Sequence, residues 1–192
     1  LINYQKTVQG NYNPDWKLGL RNSFNYKNLM LSFLFDFSCG GDIDSWTIGR
    51  GRHAGSLTGT GEDNGVRDNG IISAGVISNE DGTYSENTTR VAAFDYYRHM
   101  NNFTVLEALL YDATYLKLRE LNIAYNIPNK CFKKFPLKKA TINLYGNNLF
   151  LWSKVDHIDP DNLMQYGRFL NGLEALQLPS NRSYGIKINL IF

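Results

Sequence analysis

The sequence contains no hydrophobic run long enough to form a membrane-spanning helix. Its longest apolar stretch is LMLSFLFDF at residues 29–37, whereas a helix needs roughly 18 to 20 apolar residues to cross a bilayer. Helical spans are therefore excluded, but a tilted transmembrane strand needs only about 9 to 11 residues with one apolar face. The first residues, LINYQKTVQG, include neither an initiator methionine nor a signal peptide, so we expect further sequence upstream.

The chain also has little excess charge of one sign and few residues that could act in catalysis or bind a metal. The net charge is only +2, which is too small to predict a nucleic-acid partner. The three histidines, His53, His99 and His157, are spread along the chain, and their spacing matches neither a catalytic triad nor a zinc motif. We therefore predict no enzymatic activity, no catalytic residue and no bound cofactor.

Aromatic residues and glycine, by contrast, are plentiful. The chain has 12 Tyr, 11 Phe and 17 Gly among its 192 residues, a composition that favours strands and turns. Five segments alternate apolar and polar residues, which is the pattern of a strand with one apolar face. These predicted strands span about residues 15–26, 29–37, 115–125, 140–151 and 182–192. The sequence therefore predicts an all-β chain.

The third predicted strand changes phase in its middle. Its first apolar residues, Leu116 and Leu118, lie in one phase, whereas those from Leu121 onward lie in the other. One extra residue in a strand produces such a change, because it shifts every later side chain to the opposite face. We therefore predict a β-bulge near Arg119.

The connections between the predicted strands alternate between short and long. They contain two, about 75, about 14 and about 30 residues in turn, and loops beyond about 15 residues are uncommon in compact domains. Outer-membrane barrels, however, alternate short periplasmic turns with long extracellular loops. If the chain ends at the periplasmic face, both long connections, residues 38–113 and 152–181, are extracellular. Since a bacterial barrel needs at least eight strands, five strands predict part of a large antiparallel transmembrane β-barrel.

Four blocks of the sequence resemble a known family. In chain order they are GNYNPDWKLGLRNSFNYKNLMLSFLFDFSCGGDIDS, YDATYLKLRELNIAYNIP, NLYGNNLFLWSKVDHIDPD and QLPSNRSYGIKINLIF. Together they resemble the C-terminal part of SusC/RagA-type TonB-dependent outer-membrane transporters. The resemblance implies a barrel of about 22 strands in the bacterial outer membrane, with a plug in its lumen. It also implies that the plug domain is absent from this chain.

The resemblance further implies a function and partners. Such transporters import oligosaccharides or peptides beneath a SusD-like surface lipoprotein, with energy from TonB, which acts through an N-terminal region not present here. The apolar residues that end the chain resemble the signal read by the barrel-assembly machinery, and their face is expected to contact the lipid bilayer. These residues are Tyr184, Ile186, Ile188, Leu190 and Phe192.

Two further groups of residues are candidates for binding. The stretch DHIDPDN places Asp156, Asp159 and Asp161 close together. Carboxylate oxygens suit calcium, but the EF-hand spacing is absent, and a proline-stiffened solvated loop is the other interpretation. In the long connection, aromatic and guanidinium side chains suit contact with a lipoprotein lid or a substrate, or packing of the loop against itself. These residues are Trp46, Tyr96, Tyr97 and Arg98.

Two other functions remain as alternatives. A soluble or secreted carbohydrate-binding β-sandwich would bury the apolar face of the last strand, and it would be a water-soluble domain near 21.9 kDa. A small structural barrel or adhesin would reside in the membrane without a TonB-linked plug. The presence of an upstream plug distinguishes the transporter from this last alternative.

Overall fold

The computed structural model describes residues 7–60, 65–100, 105–132, 136–163 and 172–192. Its backbone divides into two compact units. The sheet unit comprises Asn11–Asp42, Asp112–Asn162 and Leu178–Phe192, and the loop unit comprises Leu1–Gly10, Ile43–Tyr111 and Leu163–Gln177. Parts of the two predicted long connections, residues 61–64, 101–104 and 164–171, lie outside the described residues.

Twelve strands and three α-helices occur in the described ranges. The strands are β1 Trp16–Tyr26, β2 Leu29–Cys39, β3 Asp42–Ser45, β4 Ile71–Ile72, β5 Val76–Ser78, β6 Tyr84–Glu86, β7 Arg90–Val91, β8 Leu110–Asp112, β9 Tyr115–Ile127, β10 Lys139–Ser153, β11 Leu173–Glu174 and β12 Ser183–Ile191. The α-helices are α1 Trp46–Ala54, α2 Val66–Asn69 and α3 Ala93–Met100. Two short 3-10 helices span Leu106–Leu109 and Asn129–Phe132.

The sheet unit contains one five-stranded sheet in the order β1-β2-β9-β10-β12. All four neighbouring pairs are antiparallel. The two residues between β1 and β2 form a hairpin turn, and Lys27 there has a positive φ of 53°, as tight hairpin turns require. The predicted all-β fold with about five antiparallel barrel strands is confirmed.

Apolar residues line up across all five strands of this sheet. One row of directly paired residues consists of Phe24, Leu31, Ile123, Leu144 and Ile186. The next apolar row consists of Tyr26, Leu29, Tyr125, Ile142 and Ile188. The register thus gathers the apolar residues of every strand on one face, because successive side chains of a strand point to opposite faces.

The opposite face of the sheet is polar. One of its rows consists of Ser23, Ser32, Asn122, Tyr145 and Gly185. The sheet therefore has one apolar face and one polar face along its whole width.

A bulge in β9 maintains this separation of faces. Leu34 pairs with Glu120 and Phe35 pairs with Leu118, so Arg119 is the extra residue opposite β2. The predicted bulge near Arg119 is confirmed. It turns both Arg119 and Glu120 toward the polar face and returns the later leucine and isoleucine residues to the apolar face.

The loop unit contains the helices α1, α2 and α3 and three small sheets. Helix α1 begins after Ser45, whose side chain accepts a hydrogen bond from the Ile48 backbone N–H at 3.2 Å, and it ends at Gly55, which has a left-handed φ of 70°. These are the usual N-cap and C-cap residues of a helix. Ile43, Ile48 and Leu109 are buried in this unit.

The predicted long connection 38–113 thus contains regular structure. Strands β3 and β8 form a three-stranded sheet with β11 of the other long connection. Strands β5 and β6 form a hairpin, and β4 and β7, which flank it in the chain, form a second two-stranded antiparallel sheet. The stretch VLEALLY at residues 105–111 contains the 3-10 helix Leu106–Leu109 and then enters β8. In the part of the chain that the structure describes, none of the helices is long and apolar enough to cross a bilayer.

Candidate functional site

The residues of the predicted assembly signal lie along β12 and at the residue that follows it. Ile186 and Ile188 are 68% and 62% exposed, and Tyr184, Leu190 and Phe192 are also exposed. In β1, at the opposite edge of the sheet, Leu18 and Phe24 are likewise exposed. Large apolar side chains are rarely exposed in such a continuous area on a soluble monomer, so an area of this kind indicates contact with a membrane or another protein.

A cluster of charged residues occupies the polar face near the C-terminal end of β2 and the N-terminal end of β9. It consists of Asp36 from β2, Tyr115, Lys117 and Arg119 from β9, and Asp159 and Asp161 from the segment that follows β10. We call this group the ion-pair cluster. It holds the segment after β10 against the polar face of the sheet.

Lys117 and Arg119 each bind two carboxylates of this cluster. Lys117 Nζ lies 2.6 Å from Asp159 Oδ2 and 3.3 Å from Asp161 Oδ2. Arg119 Nη2 lies 3.0 Å from Asp161 Oδ1, and Arg119 Nε donates to Asp36 Oδ2 at 2.7 Å. The side chains of Lys117 and Asp159 are only 3% and 4% exposed, so this pair is almost fully removed from water.

Neutral groups complete the cluster. The Tyr115 hydroxyl lies 3.1 Å from Asp161 Oδ1 and 3.3 Å from Asp36 Oδ2. The Ser180 hydroxyl donates to Asp159 Oδ2. Buried charges need such additional hydrogen bonds, because ion pairing alone does not repay the loss of hydration.

Asp161 remains ionised in this setting. Burial alone would raise its pKa, but the hydrogen bond from Arg119 and the positive charges of Arg119 and Lys117 outweigh burial and hold the pKa below its usual value of 3.8. The Asp161 carboxylate therefore stays charged across the neutral range.

The three calcium candidates are placed differently from one another. Asp159 and Asp161 contact the cations Lys117 and Arg119, whereas Asp156 is exposed. Within the described ranges, no three His, Cys, Asp or Glu side chains come together as a metal-binding group.

The loop unit contains a cavity of about 400 Å³. Its lining residues are Gly49, Arg52, Thr58, Gly59, Thr60, Tyr96, Tyr97, Met100, Ala108 and Leu109. We call it the arginine–tyrosine cavity. The structure thus brings together two of the four predicted lid or substrate residues, Tyr96 and Tyr97, whose rings meet edge to face at 5.2 Å. Trp46 and Arg98 are not among the lining residues.

The sequence analysis did not identify the cationic residues of the ion-pair cluster or of the arginine–tyrosine cavity. Lys117 and Arg119 occupy the polar phase of a strand, and a charged residue at such a position is the signal that a partner lies on that face. Their partners Asp159 and Asp161 lie more than 40 residues further along the chain, so the pairing itself has no local signal. Arg52 lies in the glycine-rich stretch RGRH, which carries no local signal for a binding site.

Comparison with known proteins shows what the chain is similar to. No protein-family model matches it. "TonB-dependent receptor P3" of Formosa agariphila is 23% identical over 193 residues, which is 97% of this chain and 17% of that receptor. "TonB-dependent receptor P26" of the same organism is 30% identical over 90 residues, which is 44% of this chain and 9% of that receptor. The chain thus spans less than a fifth of the length of these relatives.

Solved structures give the same result for the fold. The RagAB peptide importer in its 'closed-closed' state matches 93% of the chain with a TM-score of 0.54 and 17% identity, over 17% of that larger chain. Its 'open-open' state matches 94% with a TM-score of 0.54 and 19% identity. The predicted resemblance to SusC/RagA-type TonB-dependent receptors is confirmed, and the proteins it is similar to are named as receptors and importers rather than enzymes.

Proposed function

We propose that this chain, with its similarity to TonB-dependent receptors, forms part of the barrel wall of an outer-membrane nutrient importer. The apolar face of the five-stranded sheet contacts lipid, and the polar face with its ion-pair cluster lines the lumen. The long connections 38–113 and 152–181 are extracellular, and the short turns are periplasmic. The plug and the region that binds TonB belong to other parts of the full receptor.

One observation carries this proposal. Apolar side chains from all five strands lie in register on one face, and at both edges of the sheet these side chains are exposed. In water, so large an exposed apolar surface is unfavourable by about 25 cal/mol for each Å² left uncovered. In a membrane barrel, the same surface faces hydrocarbon, and the strands satisfy their backbone hydrogen bonds within the barrel.

Partners and substrate follow from the same proposal. The full receptor works with a SusD-like surface lipoprotein, takes up oligosaccharides or peptides, and receives energy through TonB. The solved structures with this fold are named as a peptide importer, which supports uptake of this kind. Tyr184, Ile186, Ile188, Leu190 and Phe192 are the signal for the barrel-assembly machinery.

Fractionation of the source cells tests the proposal. An antibody against the loop unit, used on boiled and unboiled membrane fractions, is expected to detect an outer-membrane band several times heavier than 21.9 kDa. The band should migrate faster without boiling, because a closed barrel resists the detergent. A soluble band near 21.9 kDa would contradict the proposal and favour the carbohydrate-binding sandwich.

A further inference from the structure

Arg52 contributes the only charged side chain among the lining residues of the arginine–tyrosine cavity. It lies in the last turn of α1, and its guanidinium carbon is 5.8 Å from the centre of the Tyr111 ring. In the described ranges, no Asp or Glu carboxylate lies within ion-pair distance of it. Within those ranges, the Arg52 guanidinium, which also interacts with the Tyr111 ring, therefore has no carboxylate partner.

The other lining side chains offer hydroxyl groups and apolar surface. Thr58, Thr60, Tyr96 and Tyr97 carry hydroxyls, and the Thr60 hydroxyl already donates to the Leu57 carbonyl at 2.6 Å. None of the described lining residues is Asp, Glu, Asn, Gln or His. In the part of the lining that the structure describes, the side chains thus provide a strong cationic donor and no carboxylate or amide acceptor.

Apolar groups form the rest of the wall. Met100, Ala108 and Leu109 line the cavity together with the two tyrosine rings, and Leu109 is buried. A volume of about 400 Å³ is within the range of small-molecule sites, which combine apolar walls with a few polar groups that fix the ligand.

We propose that the arginine–tyrosine cavity binds a carboxylate attached to an apolar group, such as the C-terminal residue of a short peptide. Arg52 holds the carboxylate, because a planar guanidinium donates two parallel hydrogen bonds to it. Met100, Leu109 and the tyrosine rings contact the apolar side chain. This inference rests on the proposed importer function and names the chemical group that the loop unit recognises.

A neutral sugar fits this cavity less well. Each sugar hydroxyl donates a hydrogen bond, and its usual acceptors are carboxylate and amide oxygens, which the described lining side chains lack. Burying hydroxyls without acceptors costs free energy. A carboxylate, in contrast, only accepts hydrogen bonds, and the cavity supplies donors.

The test measures peptide binding to the purified full receptor by isothermal titration. The probes are the tripeptide Gly-Gly-Leu with a free C-terminal carboxylate and the same tripeptide as its C-terminal amide. We expect the acid to bind about tenfold to a hundredfold more tightly than the amide, because hydrogen bonds to charged groups are stronger than neutral ones. Arg52→Gln should weaken binding of the acid by a similar factor and leave binding of the amide nearly unchanged.

Matched variants keep this test interpretable. Arg50→Gln, in α1 but exposed and outside the lining residues, should leave both affinities unchanged, and Arg52→Lys should retain part of the preference for the acid. Heat-modifiable migration of each variant verifies that the barrel is folded. Inorganic phosphate is expected to compete weakly, because it cannot use the apolar walls.

Three results would overturn the inference. They are equal affinity for the acid and the amide, an equal loss of affinity for both probes in Arg52→Gln, or phosphate binding as tightly as the acid. Each of these leaves the importer function intact if the receptor still fractionates as a large outer-membrane barrel. Failure of the proposed function is a different result, because it concerns the location and size of the protein rather than ligand preference.

Discussion

At the scale of single residues, Lys117 decides whether the segment after β10 stays attached to the sheet. It pairs with Asp159 almost completely out of water and also reaches Asp161. A buried pair adds little net stability compared with an apolar pair, but removing one partner leaves a charge buried without compensation, which costs about 3 to 5 kcal/mol.

We therefore expect Lys117→Met to lower the opening free energy of the segment 154–163 by about 3 kcal/mol. Hydrogen exchange of the full receptor, followed by mass spectrometry, measures this local opening. Lys154→Met is the control, because Lys154 and its partner Asp112 form an exposed pair, with side chains 53% and 40% exposed, and exposed ion pairs contribute little to stability. Equal effects of the two variants would contradict a structural role for the buried pair.

Acid should release the same segment through Asp161. Its pKa is lower in the folded chain than in the unfolded chain, so its contribution to stability is complete above the unfolded pKa of about 3.9 and is lost as pH falls through the lower folded pKa. Protection of residues 154–163, corrected for intrinsic exchange rates, should stay constant from about pH 7 to 5 and fall below about pH 4. Asp161→Asn should remove this group's part of the acid loss, whereas a transition centred near pH 6.5 would implicate a histidine instead.

These residues also mark where sequence reasoning ends. The closely spaced carboxylates of DHIDPDN suit a cationic partner. The sequence does not show which cation, since Lys117 and Arg119 become neighbours of Asp159 and Asp161 only through the fold.

At the scale of elements, the long strands were predictable because one physical contrast governs them. Each strand separates an apolar environment from a polar one, so the period of two persists over 9 to 15 residues, and the bulge at Arg119 appears as a break in that period. The strands of the loop unit are only two to four residues long, which is too short for a periodic signal. The caps of α1, Ser45 and Gly55, are of residue types that commonly mark the ends of a helix.

A charge on the apolar face should prevent folding into a bilayer, and the same charge on the polar face should not. Ile123→Arg places a guanidinium in the apolar row of β9, where an arginine near the bilayer midplane costs about 2 to 4 kcal/mol. Its neighbour Asn122→Arg lies in the polar row. The heat-modifiable fraction of the full receptor should fall strongly for Ile123→Arg and little for Asn122→Arg, and similar losses would argue against the assignment of faces.

Deletions distinguish the bulge from an ordinary strand position. Removing Arg119 leaves apolar and polar residues of β9 in strict alternation and in regular pairing with β2, so the apolar residues stay on the apolar face. The ion-pair cluster, however, loses the Arg119 guanidinium. Removing Asn122 moves Ile123 and Tyr125 to the polar face. We expect a folded but weakened barrel from the first deletion and almost no heat-modifiable protein from the second. The reverse order would show that the bulge itself sets the register.

At the scale of the whole molecule, the proposed topology assigns opposite sides of the membrane to two exposed positions. Glu80 lies in the turn between β5 and β6, and Cys131 lies in the 3-10 helix Asn129–Phe132 between β9 and β10. Both are exposed, so a thiol at either position is accessible to a water-soluble reagent.

In full receptors with a single cysteine, we expect a membrane-impermeant maleimide to label Glu80→Cys on intact cells. The same reagent should label Cys131 only after the outer membrane is permeabilised, because the proposed orientation places that turn in the periplasm. Labelling of Cys131 on intact cells, with Glu80→Cys protected, would invert the topology.

The edges of the large sheet have a further consequence. In the part of the chain that the structure describes, β1 and β12 each pair with a neighbour on one side only, which leaves a row of unused backbone donors and acceptors along two strands of 11 and 9 residues. Such edges are templates for pairing with another chain, and here they adjoin an exposed apolar face. In water, such edges would favour association between copies of the chain. In the proposed receptor, further strands of the barrel pair with β1 and β12, so closure of the barrel covers both edges at once.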